Sequence, residues 1–260
     1  MKKTRWDIVI VGGGAAGCLL ANRLSQDSGR SVLLLEAGPD GDKLVIKIPA
    51  GWAEIAYGKT YNWDFATEQE PALGGRSILW PRGKVLGGST ATNGMVYVRG
   101  QPEDFDAWAD AGAEGWDWQS VRPFYEAFEA PEGNPSNSPA DPAGGELKLT
   151  KRQSNPWGDR FIAACEQAGI PPRSDYNRGE QRGAGYYQHT LHQGVRLSAY
   201  RAFLQPVLQR KNLWVSPSTV VDAIEFQGAR AVAVRAVTRG RVHRLEAGTV
   251  VLAAGAIGSP

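Results

Sequence analysis

The sequence predicts an α/β protein in which a mainly parallel sheet is joined to a small antiparallel β-meander. Three observations carry that prediction. An apolar run, a glycine turn, a helical stretch and a second apolar run follow one another before residue 37. Short alternating segments, turning at Gly228 and Gly240, follow residue 212. A last apolar run, TVVLAAGA, closes the pattern at residues 249–256. The apolar runs are short and rich in Val, Ile and Leu, as strands buried on both faces are.

The first unit, DIVIVGGGAAGCLLANRLSQDSGRSVLLLEAG, is the most informative stretch. Residues 7–11 read as a buried parallel strand, 15–25 as a helix with Leu19, Leu20 and Leu24 on its apolar face, and 31–35 as a second strand ending in Glu36. Between the first strand and the helix stand Gly12, Gly14 and Gly17, spaced G-x-G-x-x-G. Gly12 permits the tight turn, Gly14 lets backbone approach a pyrophosphate, and Gly17 lets helix and strand pack closely. The helix start offers unpaired N–H groups to phosphate. Glu36 is placed to accept from a ribose, which argues against a 2′-phosphate and so against NADP. Strand, glycines, helix, strand and acid in that order predict a Rossmann-like dinucleotide site. NAD and FAD both satisfy it.

The second informative stretch is PRGKVLGGSTATNGMVYVRG, residues 81–100. Gly83, Gly87, Gly88 and Gly94 alternate with Ser89, Thr90, Thr92 and Asn93, so the backbone can lie flat against a large planar ligand and bond its polar edge. The loop feeds a strand at residues 95–98.

At these residues the chain resembles the glucose–methanol–choline family of FAD-dependent oxidoreductases. GKVLGGSTATNGMVYVRG is similar to that family's first signature, and AAGAIGSP to the start of its second. NWDFATEQEP (62–71) and GVRLSAYRAFLQP (194–206) also match its pattern. The resemblance implies FAD as cofactor, with Val85, Asn93, Gly94, Met95 and Val96 around the isoalloxazine and pyrophosphate. It places the backbone of Val221 at the adenine edge, and Ser89 and Arg82 beside the phosphates. Thr92 stands where some members carry a histidine bonded covalently to the flavin; threonine cannot form that bond, so FAD is expected to be held non-covalently. The implied reaction oxidises a primary alcohol, such as choline or an alkanol, to the aldehyde, with hydride passing to flavin N5 and electrons on to oxygen or a quinone-like acceptor. The family's catalytic histidine and its histidine or asparagine partner lie downstream of the second signature, beyond Pro260, so no residue here is expected to be catalytic. The chain is read as the family's N-terminal half. Alternatives are a catalytically inert flavin-binding polypeptide and a non-redox relative that cleaves hydroxynitriles.

The remaining elements follow in order. Residues 102–112 read as a helix with Phe105, Trp108 and Ala109 on one face, and 117–129 as one or two short helices broken at Pro123. Residues 130–146, rich in Pro, Gly, Ser and Asn, read as a loop. Helices are expected at 156–169 and 196–210. NLWVS, VVDAIEF, ARAVAVRAV and VHRLEAG form the expected meander, and TVVLAAGA returns as a buried strand beside the first. Ser259 and Pro260 read as the N-cap and first residue of a further helix. Residues 1–100 with 213–260 are expected to form a discontinuous FAD-binding domain, and 101–212 a helical and loop insertion contributing to a substrate or cap region.

Composition limits what else the chain can be. With 260 residues it has room for one large domain or two modest ones. A net charge of +2 provides no basic stripe for nucleic acid. Cys18 and Cys165 stand in unrelated contexts, giving neither a disulfide framework nor a metal spacing. His189, His192 and His243 read as surface strand residues. No apolar run is long enough to span a bilayer, and MKKTRW leads straight into the first strand without a signal-like hydrophobic region, so a cytoplasmic protein is expected.

Overall fold

The computed structural model describes residues 3–131, 145–151 and 153–260. It divides into two compact units, Met1–Gly94 with Gly194–Pro260, and Met95–Gln193.

The first unit is built on a six-stranded sheet. Its strands are β1 (Arg5–Val11), β2 (Val32–Leu35), β3 (Leu213–Ser216), β4 (Thr219–Gln227), β5 (Arg230–Thr238) and β6 (Arg241–Leu252), in the order β3-β2-β1-β6-β5-β4. β3, β2, β1 and β6 run parallel, with Val9 opposite Leu33 on one side and Val250 on the other. β6 turns back through β5 to β4 as an antiparallel meander. β1 and β2 are the most apolar strands because both of their faces are covered: Val9, Ile10 and all of β2 are essentially inaccessible. One face packs Trp6, Val9, Val11, Leu33 and Leu35 against Val234, Ala236, Leu245 and Ala247. Helix α1 (Ala15–Leu24) follows β1 directly.

Two expectations need correction here. NLWVS is not part of the meander: β3 extends the parallel sheet, its Leu213–Ser216 opposite Val32–Leu35. Asn212 fixes the entry, its Nδ2 donating to the carbonyls of Ser25, Asp27 and Arg30. Nor is 196–210 one α-helix. The chain makes a wide π turn over Tyr200–Leu204 and a 3-10 turn over Gln205–Val207, because Pro206 has no N–H and its ring crowds the carbonyl four residues back.

Residues 194–212 pack within the first unit instead of with the insertion expected over 101–212. Arg196 bonds Ile46 and Asn93, and Asn22 Nδ2 donates to Phe203 O at 2.6 Å. The end of the first unit differs from expectation as well. β6 is only half buried past Thr249, with Leu252 46% exposed. Ser259 follows a four-residue helix, Gly255–Gly258, and its Oγ accepts from Ala254 N–H, so it closes a helix where it was expected to open one.

The second unit holds α2 (Pro102–Asp110), α3 (Trp118–Phe128) and α4 (Pro156–Gln167) beside a small sheet of Val96–Tyr97, Gln188–His189, Leu147–Lys151 and Glu129–Pro131. Phe105 is its buried aromatic anchor, meeting the rings of Trp108, Trp118 and Tyr125. α3 runs through Pro123 unbroken, where a break was expected. Pro123 lies on the exposed face, and the buried partner of this stretch, Glu129, ion-pairs with Arg99 just past the helix end. The loop read at 130–146 falls mostly outside the described residues.

Candidate cofactor site

The site grows from the turn after β1. Gly12 sits at φ +103°, and a Cβ there would lie 2.4 Å from Ala253 O at the end of β6. A Cβ on Gly17 would lie 1.9 Å from Gly12 O, so helix and turn meet backbone to backbone. α1 then begins at an N-cap glycine, Gly14, with no side chain capping it and no acid in its first turn. Ala15 and Ala16 are exposed, so the positive end of the helix faces solvent.

Glu36, at the end of β2, is buried. Its Oε2 accepts Gly13 N–H at 2.7 Å and its Oε1 accepts Gly38 N–H at 2.8 Å. Burial pushes its carboxyl above the usual range, against the two N–H bonds that pull it down. The backbone around it ties three strands together: Glu36 N–H donates to Ser216 O of β3, and Glu36 O accepts from Thr219 N–H of β4. Cys18 lies beneath, its thiol on Gly13 O and pushed up to about 12 by burial, which makes it a packing residue and no nucleophile.

The loop over residues 83–93 lies on this turn. Gly87 N–H donates to Gly13 O at 2.7 Å. Gly88 adopts φ +53°, and a Cβ there would lie 2.8 Å from Gly14 Cα. Two glycines from sequence-distant motifs therefore face each other, next to the uncapped helix start. The loop is braced by Leu86 N–H on Pro39 O, by Gly83 N–H on Ser89 Oγ, and by Ala199 N–H on Thr90 Oγ1.

The expected residues are distributed as follows. Gly12, Gly14, Gly17, Glu36, Val85, Ser89, Asn93, Gly94 and Val221 belong to the first unit; Met95 and Val96 belong to the second. Ser89, Asn93 and Gly94 are exposed. Val85 is fully buried among Ile46, Ile55 and Ala91, so its side chain faces a core and only its backbone is left for a ligand. Arg82 lies against the Trp80 ring and donates to Pro81 O. Val221 sits at a register shift in β4, where the ladder to β5 is interrupted before Ala223. Met95 is buried at φ +65°, a conformation uncommon for a non-glycine residue and concentrated at functional sites.

Sequence reasoning missed Gly38 and Arg196. A Cβ on Gly38 would lie 1.9 Å from Lys84 O, so the turn after β2 is glycine for close approach; the only sign in the sequence is its place directly after the acid-ending strand. Arg196 is buried beneath Asn93, signalled only as a cation inside the apolar run GVRLS.

Among the described residues no helix is long and apolar enough to cross a membrane, and no group of three His, Cys, Asp or Glu residues is placed to hold a metal.

Comparison with known proteins gives a consistent picture. A family profile described as GMC oxidoreductase matches residues 6–260. The chain is 40% identical over 267 residues to the mitochondrial choline dehydrogenase of Homo sapiens, covering 99% of this chain and 45% of that protein. It is 38% identical over 263 residues to the oxygen-dependent choline dehydrogenase of Staphylococcus aureus strain JH9, covering all of this chain and 46% of that one. Among solved structures, pyridoxine 4-oxidase from Mesorbium loti superposes with a TM-score of 0.90 at 36% identity, over 96% of this chain and 50% of that one. An FAD-dependent oxidoreductase from Chaetomium thermophilum gives 0.87 at 27% identity, over 98% and 46%. The chain thus spans about half the length of the curated relatives it matches.

Proposed function

Because the chain belongs to the GMC oxidoreductase family, we propose that it forms the cofactor-holding part of an oxidoreductase that acts on the CH–OH group of a small primary alcohol, choline or an alkanol. FAD is the cofactor. The observation that carries the reading is the Gly14–Gly88 contact, which puts the two glycine motifs on one cradle beside an uncapped helix start.

The residues present fit that group. The turn at Gly12, Gly14 and Gly17 and the exposed start of α1 suit a pyrophosphate, since side chains are absent where backbone must come close. Glu36 keeps acceptor capacity beyond its two N–H bonds, in the place from which a carboxylate bonds a ribose. The interrupted ladder at Val221 leaves backbone for an adenine edge. Asn93, Gly94, Met95 and Val96 are assigned to the isoalloxazine, with Val85 contributing backbone only and Ser89 standing beside the phosphates. When bound, FAD supplies the two-electron acceptor for the alcohol's hydride. The chain's own part is to hold and orient it. Thr92 carries no ring nitrogen for a flavin bond, so retention is non-covalent. Oxygen or a quinone-like molecule takes the electrons onward, and no residue of this chain is assigned as the proton-accepting base.

Equilibrium titration with FAD and with FMN tests the cradle. FAD binding with clear preference over FMN supports it, and equal or absent binding of both overturns it. In flavin-loaded protein of natural length, anaerobic choline or an alkanol is expected to bleach the visible flavin band; no bleaching by either refutes the alcohol assignment while leaving FAD binding intact. Trichloroacetic acid should release all of the flavin into the supernatant, and flavin retained on the precipitate would contradict non-covalent binding.

A further inference from the structure

Arg196 is 1% exposed, yet among the described residues no carboxylate pairs with it. Its Nε–H donates to Ile46 O at 3.0 Å; its Nη1 donates to Asn93 O at 2.6 Å and to Asn93 Oδ1 at 3.0 Å. Its Nη2 is buried without a hydrogen-bond partner among the described residues. Burial draws its pKa down to about 10, so it remains charged at neutral pH. An uncompensated buried cation is destabilising, and an apolar side chain of similar volume would fill the same space without that cost. The charge therefore calls for a role beyond packing.

The geometry supplies one. Asn93 C=O and Gly94 N–H are the two ends of one peptide group, and a cation on the oxygen makes the N–H a stronger donor. Gly94 is exposed, with nothing within 4 Å of where its Cβ would lie, and among the described residues no backbone carbonyl accepts its N–H. We propose that Arg196 is a positioning residue for the cofactor: it clamps the Asn93–Gly94 peptide against the flavin and keeps an unneutralised positive charge behind it that favours the electron-rich, reduced form. This rests on the FAD-binding reading above. The reduction in question adds two electrons and one proton to FAD to give the anionic reduced flavin, the electrons coming from the alcohol in the reaction and from dithionite in the test.

The test compares Arg196→Gln, Arg196→Lys and a surface control, Arg122→Gln, by FAD affinity and by flavin midpoint potential in dithionite titrations. Arg196→Gln is expected to weaken FAD binding roughly tenfold or more, the scale of one charge-assisted hydrogen bond, and to lower the potential. Arg196→Lys keeps the charge and loses the fork, so its binding weakens while its potential stays near that of the parent protein. A folded Arg196→Gln protein with unchanged affinity and potential overturns the proposal. Should the Gln variant not fold, the Lys variant decides: parental affinity, or a potential clearly below the parent's, overturns it. A parent protein that binds no FAD refutes the proposed function itself; a parent that binds while the variants behave like the control refutes only the role of Arg196.

Discussion

At the scale of single residues, the site is governed by where a side chain is forbidden and where a carboxylate is enclosed. Gly88 and Gly94 occupy the same loop, but only Gly88 faces backbone, 2.8 Å from Gly14 Cα at the position its Cβ would take. Gly88→Ala is therefore expected to push the loop off the turn and weaken FAD binding by about tenfold or more, while Arg122→Gln, an exposed change on α3, should leave the FAD dissociation constant unchanged. Equal effects in the two titrations would show that the facing glycines do not set the cradle. Glu36 gives a second contrast. Its two oxygens each accept an N–H, so an amide in its place must turn its own NH₂ toward one of them. Glu36→Gln should cost about 1–3 kcal/mol, read as a lower melting temperature of the cofactor-free protein. The spacing in the sequence singled out Gly12, Gly14, Gly17 and Glu36, because tight turns and terminal acids have fixed chemistry. The internal duty of Glu36 as a strut for Gly13 and Gly38 was hidden, because it depends on a turn two residues further on.

At the scale of elements, strands were legible and their partners were not. β1 and β2 are short β-branched and leucine-rich runs that read directly as buried strands. β3 has the same look as the meander strands, and only its pairing with β2 separates it from them. The starts of β1 and β2 are tied by Asp7, whose carboxylate accepts Ser31 N–H at 2.7 Å and Ser31 Oγ–H at 2.6 Å. Those bonds hold the Asp7 pKa below its ordinary value. A carboxyl lowered on folding contributes stability above its unfolded pKa and loses it as pH falls through the lowered value. Acid unfolding followed by circular dichroism should therefore show a flatter loss of stability below about pH 4 in Asp7→Asn than in the parent. An unchanged acid limb would assign no linkage to this pair. The helix expected at 196–210 failed for a reason present in the sequence, Pro206, whose effect on the preceding turn outweighed the apolar pattern around it. Pro123 shows the opposite: the same residue type is carried inside α3, which stays helical through it.

At the scale of the whole molecule, each unit has its own core, and the second leaves large apolar side chains in solvent. On α4, Trp157 is 78% and Phe161 67% exposed, one turn apart on the same face. Exposed apolar faces of this kind drive association. The double variant Trp157→Ser with Phe161→Ser should lower static light scattering at matched concentration without altering the melting temperature, and unchanged scattering would point to another surface. The sequence by itself determined the α/β class, the order strand–glycine–helix–strand–acid, and the positions of both glycine motifs. All of these depend on contacts within a few residues, where backbone geometry follows directly from residue type. Only the tertiary structure decided that Gly88 lies on Gly14, that β3 joins the parallel sheet, and that Arg196 stands buried beneath Asn93 with no carboxylate beside it among the described residues. These are contacts between segments some 70 to 180 residues apart. The free energy that selects among such pairings comes from burial and backbone hydrogen bonding summed over the unit, which no local pattern records.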